Sequence, residues 1–333
     1  MADRPKYSRE QLEQFFNRIA LPENKRVYSV KELSANDKLN YLTLLQKHTL
    51  VRIPFENLTL HYSWHRTINV RPQHLYNKIV RPPSHRGGYC MENNSLFHTV
   101  LLSLGYDVFM AGARVYDKET GKYGGFSHCV NIVILHEAQL LVDVGFGANG
   151  AIAPFLLKHD APERHIKTSS AQIRIVHQAI PQAVDQSQKL WILQQRLREG
   201  PPGHPDAEWT PLYCFVDFEF LLEDIRGMNL SPWKSPSSWF TQKIVLSRFT
   251  TNMEKDEAEG PGAASERAID EGEIDGALIL FQDTLKWRRD GETKFDIKLQ
   301  DEKQRVEVLR KYFGIELDDE DREAIRGTVS ELK

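Results

Sequence analysis

The apolar residues of this 333-residue chain change their spacing around Gly105, and that change restricts the fold more than any other feature. Before it the spacing is helical. Ser8 and Gln11 form a capping box ahead of Leu12, Phe15, Phe16 and Ile19, which share one helix face. Ser34 caps a predicted second helix carrying Leu39, Leu42 and Leu45. A third opens at Cys90, turns Leu96, Phe97, Val100, Leu101 and Leu104 inward, and stops at Gly105. After Gly105 the runs are short and β-rich: 108–116, 129–135, 139–144, 173–177 and 189–195, with turn residues between them. Helices segregated from strands predict an α+β fold with an antiparallel sheet, read here as a small barrel.

The last third is mixed. Residues 199–206 hold three prolines and two glycines and read as a loop. Residues 215–226 read as a helix, and 229–238 as a Pro/Ser-rich, non-repetitive stretch. Strands are expected at 244–249 and 277–281, and a hairpin around Asp290-Gly291 joins 285–289 to 294–299. Residues 302–313 predict a helix with Val306, Leu309 and Phe313 inward. The acidic run at 254–276 reads as a surface insertion.

Charge and cysteine usage remove several function classes. With 43 Lys+Arg against 46 Asp+Glu, the net charge is −3, which argues against a dedicated nucleic-acid binder. Nine acids and two bases fall between 254 and 275, so the rest of the chain carries +4, a balance suited to an anionic ligand. No stretch approaches the roughly 20 apolar residues of a membrane span. The first ten residues have no apolar core of a secretory signal. Three cysteines, Cys90, Cys129 and Cys214, without a CxxC pair, make neither a disulfide framework nor a structural zinc site. A cytoplasmic protein without a metal is the expectation.

The densest chemical signal is Arg86-Gly87-Gly88-Tyr89-Cys90-Met91-Glu92-Asn93-Asn94. Two glycines permit a tight turn, and the cysteine follows as the helix opens. A helix N-terminus stabilises negative charge and so favours a thiolate, the form that attacks electrophiles. The alternative is a small buried apolar side chain at a helix start. A thiolate needs a base and an orienting group. Gly124-Gly125-Phe126-Ser127-His128 puts a histidine ahead of a β-rich run, and Leu140-Leu141-Val142-Asp143-Val144-Gly145-Phe146-Gly147 ends another on an acid. Adjacent antiparallel strands could join His128 to Asp143, giving nucleophile, base and orienter in the order Cys, His, Asp. A turn carboxylate is the alternative for Asp143.

Taken together, the RGGYC, GGFSH and VDVGFG segments resemble the arylamine N-acetyltransferase family. Pro54-Phe55-Glu56-Asn57-Leu58, Ser235-Pro236-Ser237-Ser238-Trp239-Phe240-Thr241 and Tyr312-Phe313-Gly314-Ile315 are similar to further segments of that family, so the resemblance spans nearly the whole chain. It implies a cysteine-protease-like Cys-His-Asp core at Cys90, His128 and Asp143, an acyl-CoA donor and a ping-pong reaction. It also implies three parts. These are a helical bundle (1–108) carrying the cysteine, a β-barrel (109–217) carrying His128 and Asp143, and an α/β lid (243–333) reached through an interdomain segment (218–242). Under the same resemblance Arg86 and Glu56 pair to anchor the Gly-Gly turn. Gly124 and Gly125 offer backbone N–H groups to CoA phosphates as an anion nest, with a plain hairpin loop as the alternative. Ser237 lies near CoA, and Phe126 and Phe146 line an arylamine pocket or are ordinary core.

The acidic insertion, the loop near Pro201 and the extended N-terminus are similar to filamentous-fungal members, some of which resemble malonyl-CoA users. The expected activity is therefore acyl transfer to an arylamine or hydrazine from acetyl-CoA, with malonyl-CoA as the alternative donor. No permanently bound cofactor is expected, and the oligomeric state is not readable. A thiol hydrolase using the same three residues is the rival enzyme, and a non-enzymatic binding protein of the same fold the other rival.

Overall fold

The computed structural model describes residues 4–82, 85–158, 162–166, 171–197, 208–254 and 265–333. The helical region comprises α1 (Arg9–Arg18), α2 (Ala35–Arg52), the short α3 (Pro72–Leu75) and α4 (Cys90–Leu104). Ser8 closes its capping box on α1, and the Ser34 hydroxyl accepts from the Asp37 N–H at the start of α2. Gly105 ends α4 in the left-handed region at φ 91°, where a side chain would be strained. Between them the lone strand β1 (Phe55–Glu56) lies in this otherwise helical region.

Eight strands form one antiparallel sheet: β2 (Asp107–Asp117), β3 (Lys122–Leu135), β4 (Ala138–Val142), β5 (Phe155–Leu156), β6 (Arg164–Ile166), β7 (Ala171–Gln178), β8 (Leu190–Leu197) and β9 (Thr210–Phe215). Their order is β5-β4-β3-β2-β9-β8-β7-β6. Among the described residues the two-residue β5 and three-residue β6 at its ends do not pair with each other, so the sheet is a curled half-barrel where a small barrel was expected. The half-barrel's concave core holds Ile132, Leu141, Phe155, Leu193, Tyr213 and Phe215. Its other face packs Val133, Leu140 and Val142 against Phe16, Leu45, Phe97 and Leu101 of the helices. That packing presses the start of α4 against β3, and the site sits at this seam.

The chain then forms α5 (Leu222–Lys234) and α6 (Trp239–Gln242). The helix expected at 215–226 therefore starts seven residues later and runs through 229–234, which composition assigned to irregular chain. Phe215 instead pairs with Ala113 and Trp191, because β9 closes the gap between β2 and β8. Pro232 sits in the last turn of α5, where its missing N–H costs a single helical bond.

A second antiparallel sheet follows: β10 (Val245–Thr251), β11 (Ile274–Phe281), β12 (Thr284–Arg289) and β13 (Glu292–Lys298), with α7 (Glu266–Asp270) ahead of β11. Asp290 and Gly291 both take positive φ, 50° and 78°, in the two-residue hairpin turn. The fifth strand of this sheet is β1, through Phe55↔Ser247 and Glu56↔Leu246. The segment ahead of the cysteine is thus stitched directly into the C-terminal sheet. Helices α8 (Glu302–Phe313) and α9 (Asp319–Ala324) complete the chain, burying Leu309, Phe313 and Ile325 against Leu278, Leu280 and Trp287.

The acidic run is not a detached insertion at its ends. Glu254 is buried and pairs with Arg248 at 2.9 Å, Asp270 with Lys25 at 2.6 Å, and Asp275 with Arg289 at 2.8 Å. Only three of the nine acids, with Lys255, lie in 255–264, outside the described residues. The basic remainder inferred from charge counting therefore does not describe the folded body. The loop expected at 199–206 also lies outside the described residues.

Candidate active site

The Gly-Gly turn is built by close approach. A Cβ on Gly87 would lie 1.9 Å from the Pro54 carbonyl oxygen, and one on Gly88 would lie 2.5 Å from Cβ of Glu92. Gly88 N–H reaches Pro54 O, and Glu56 N–H reaches Gly88 O at 3.0 Å. Arg86 Nε donates to Glu56 Oε1 at 3.0 Å, the pairing expected, and Arg86 also reaches Thr59.

Two further charges, unranked in the sequence, complete this base. The π-helical turn Tyr76–Val80 delivers Lys78, whose Nζ lies 2.7 Å from Glu92 and 3.6 Å from Glu56. Glu92 in turn accepts from the Tyr89 N–H, as a capping box requires at the first turn of α4. Burial works against the Glu56 charge, but Arg86 and Lys78 outweigh it and hold its pKa below the usual carboxylate range. For Glu92 burial wins over Lys78, and its pKa is raised. Two buried acids and two partly buried bases thus clamp the turn on which Cys90 stands.

Cys90 is the first residue of α4 and is 4% exposed. Its Sγ lies 3.6 Å from the carbonyl oxygen of Ser127, the residue before His128. His128 and Asp143 are each 1% exposed, and Nε2 of the imidazole lies 2.8 Å from Asp143 Oδ2. That leaves Nδ1 for the thiol. Burial alone would lower the His128 pKa. The charge and hydrogen bond of Asp143, with smaller help from Cys90, push it up to about 10. Burial opposes the Asp143 charge too, and His128, Asn94 and the Gly145 N–H outweigh it, so its pKa is depressed.

Asn94 is the group the sequence reading missed. It lies one turn beyond Cys90 on the same face of α4. Its Nδ2 donates to Asp143 Oδ1 at 2.9 Å and to Cys129 O at 2.7 Å, and its Oδ1 accepts from the Val144 N–H at 2.9 Å. It fixes the carboxylate relative to the helix that carries the thiol. The only signal was a buried-side polar residue within an apolar helix pattern.

The other expected site residues divide. Phe146 packs its ring 5.2 Å from His128 and 4.7 Å from Tyr213. Phe126 is half-buried, edge-on to Phe220 at 5.2 Å. Gly124 and Gly125 lie within β3, where the register shifts between Arg114 and Tyr116, and not in a flexible loop. Neither has positive φ, so they do not form the nest first read there, which needs alternating right- and left-handed residues. Ser237 is exposed in the turn between α5 and α6, with its hydroxyl 2.9 Å from that of Ser235. Cys129 and Cys214 are buried, and burial raises both thiols, Cys214 to about 12. Among the described residues no cluster of three or more His, Cys, Asp or Glu side chains is arranged to hold a metal.

A family model described as N-acetyltransferase matches residues 38–255. The chain belongs to the arylamine N-acetyltransferase family. It is 32% identical to the N-malonyltransferase FDB2 of Fusarium pseudograminearum over 96% of this chain and 93% of that protein. Among solved structures, the arylamine N-acetyltransferase of Nocardia farcinica superposes with a TM-score of 0.71 at 25% identity, covering 97% of each chain. The Mycobacterium marinum enzyme, solved in complex with CoA, gives 0.70 at 23% identity, covering 96% of this chain and 99% of that one.

Proposed function

We propose that this family member transfers an acyl group from acyl-CoA to an arylamine by a ping-pong reaction through acyl-Cys90. The observation that carries this reading is the buried Cys90–His128–Asp143 relay at the first turn of α4. In it Asp143 holds the imidazole by Nε2 and supports its positive charge. The Cys90 thiolate attacks the thioester carbonyl, the bond from that carbon to the CoA sulfur breaks, and His128 gives its proton to the leaving CoA. The amine nitrogen then attacks the acyl-cysteine. A C–N bond forms, the bond to Cys90 sulfur breaks, and His128 takes the proton released by the amine. Weakly basic arylamines are largely neutral at pH 7 and need no prior deprotonation.

The layout proposed around this relay has three parts: a helical bundle over 1–108, a half-barrel over 109–217 and an α/β lid over 243–333, linked by 218–242. The β1–β10 pairing ties the lid to the turn beneath Cys90. Phe146, against His128, is proposed as a wall of the acceptor pocket, with Phe126 further toward the mouth. The exposed Gly124–Gly125 bulge and Ser237 are proposed as CoA contacts. The products separate transferase from thiol hydrolase: incubation with an acyl-CoA and an arylamine gives N-acylated amine, whereas free acid alone refutes transfer. Cys90→Ser abolishes the reaction, and full activity in that variant refutes the relay.

A further inference from the structure

A donor acyl group delivered to Cys90 enters a site whose three reacting side chains are almost closed to water. An acetyl group meets no penalty there. A malonyl group carries a carboxylate, and a carboxylate near so buried a centre is costly unless a cation receives it. The cations around Cys90 differ in whether they can do so. Lys78 and Arg86 lie beneath the turn against Glu56 and Glu92, and His128 is engaged by Asp143.

Arg114 is different. Strand residues two apart share a face, so Met110, Gly112 and Arg114 line one side of β2, running outward. Met110 packs in the same apolar cluster as Cys90, Cys129 and Phe220. Gly112 lies so close under the Phe220 ring that a Cβ there would come within 2.3 Å of it. Phe220 meets Phe126 edge-on, and the Arg114 guanidinium lies over the Phe126 ring, 3.9 Å from its centroid. Phe126 directly precedes Ser127, whose carbonyl touches the thiol. One continuous surface therefore leads from Cys90 to the Arg114 cation. The guanidinium spends one N–H on the Gly124 carbonyl at 3.2 Å, and among the described residues no carboxylate lies within 4 Å of it. Its remaining donors match the geometry of a carboxylate.

We propose that Arg114 receives the free carboxylate of a dicarboxylic acyl donor such as malonyl-CoA and so sets donor choice. This assignment rests on the acyltransferase reading above. Two C–C bonds of about 1.5 Å separate the thioester carbon from the malonyl carboxylate carbon, and a charge-assisted hydrogen bond spans about 2.8 Å more.

The test compares malonyl-CoA, its methyl ester and acetyl-CoA with the wild-type enzyme, then with Arg114→Met and Arg114→Lys. Wild type is expected to favour malonyl-CoA over both uncharged donors. In Arg114→Met, kcat/KM for malonyl-CoA falls about 10- to 100-fold further than kcat/KM for acetyl-CoA, as for loss of a hydrogen-bonded charge. Arg114→Lys restores part of the malonyl activity. If the ester serves as well as malonyl-CoA in the wild type, the assignment is overturned without any variant. If Arg114→Met raises KM for all donors alike, Arg114 contacts a CoA phosphate and the proposal falls. Robust transfer from acetyl-CoA alone overturns it while leaving the acyltransferase reading intact. No transfer from any acyl-CoA overturns both.

Discussion

Gly145, two residues beyond Asp143, lies close against the first turn of α4, and its substitution by alanine isolates the value of that approach. A Cβ there would lie 2.7 Å from Asn94 Nδ2, 2.8 Å from Cys90 Cα and 2.9 Å from Cys90 O. Ordinary contact begins at 3.4 Å, so 0.5 to 0.7 Å of overlap must be relieved. Gly145 does not have positive φ, so the conflict is steric and not conformational. Two of the three opposing atoms are helix backbone, and the third is held by bonds to Asp143 and Cys129. Relief must come from parting residues 143–145 from the first turn of α4. Overpacking of this kind costs roughly 1–3 kcal/mol of stability. The same movement draws Asp143, and His128 with it, away from Cys90, and a misplacement near 1 Å costs about 10²-fold in rate. The assay is kcat/KM for acyl transfer beside denaturant unfolding of wild type and Gly145→Ala. Gly227→Ala is the control: that residue is exposed within α5 with nothing within 4 Å of the added carbon, so the change should stabilise by about 0.5–1 kcal/mol and leave activity alone. Full activity in Gly145→Ala would refute the claim that this approach sets the relay's geometry.

Other outcomes follow from the same contacts. Asn94→Ala strips one bond from Asp143 and leaves the Val144 N–H and Cys129 carbonyl buried and unpaired, so unfolding should show a loss of about 1–3 kcal/mol with a fall in kcat. Wild-type stability and rate would contradict the positioning role. The folded His128 pKa, raised to about 10, exceeds its unfolded value near 6.5, so the charged imidazole's contribution is complete below about pH 6.5 and is lost as pH rises through 10. The depressed Asp143 pKa acts oppositely, its contribution being lost as pH falls below the ordinary carboxylate range. Unfolding free energies of wild type and His128→Gln between pH 6 and 10 should converge as pH rises; parallel curves would show that the pair carries no such charge.

What could be read from the sequence was local. The caps at Ser8, Ser34 and Gly105 and the Asp290-Gly291 hairpin each depend on residues within a few positions, and each stands where composition placed it. The order Cys90, His128, Asp143 was legible because a cysteine opened a helical run, a histidine stood ahead of a β-rich run and an acid ended another, and the fold puts His128 Nε2 2.8 Å from Asp143. Partners supplied from far along the chain were not legible. Nothing near Phe55 announces a strand whose mate is Ser247, and nothing near Glu254 or Asp275 announces Arg248 and Arg289. Setting these acids aside as an insertion produced a basic body, whereas Glu254, Asp270 and Asp275 belong to the folded chain through their pairs with Arg248, Lys25 and Arg289. Nothing near Lys78 announces its pairing with Glu92 and Glu56, which forms as the turn at Gly87–Gly88 brings Glu56 and Arg86 beside it. The glycines at 124 and 125 looked like a loop because glycine marks both turns and bulges, and only the pairing register separates the two.

The central claim is that Cys90 carries the acyl group between donor and acceptor. Intact mass of the protein after mixing with malonyl-CoA or acetyl-CoA, without amine, followed by peptide mapping, tests it most directly. The expected result is a gain of one acyl group on Cys90 that disappears on adding an arylamine. An unmodified protein, or an acyl group on Cys129 or Cys214, would contradict it.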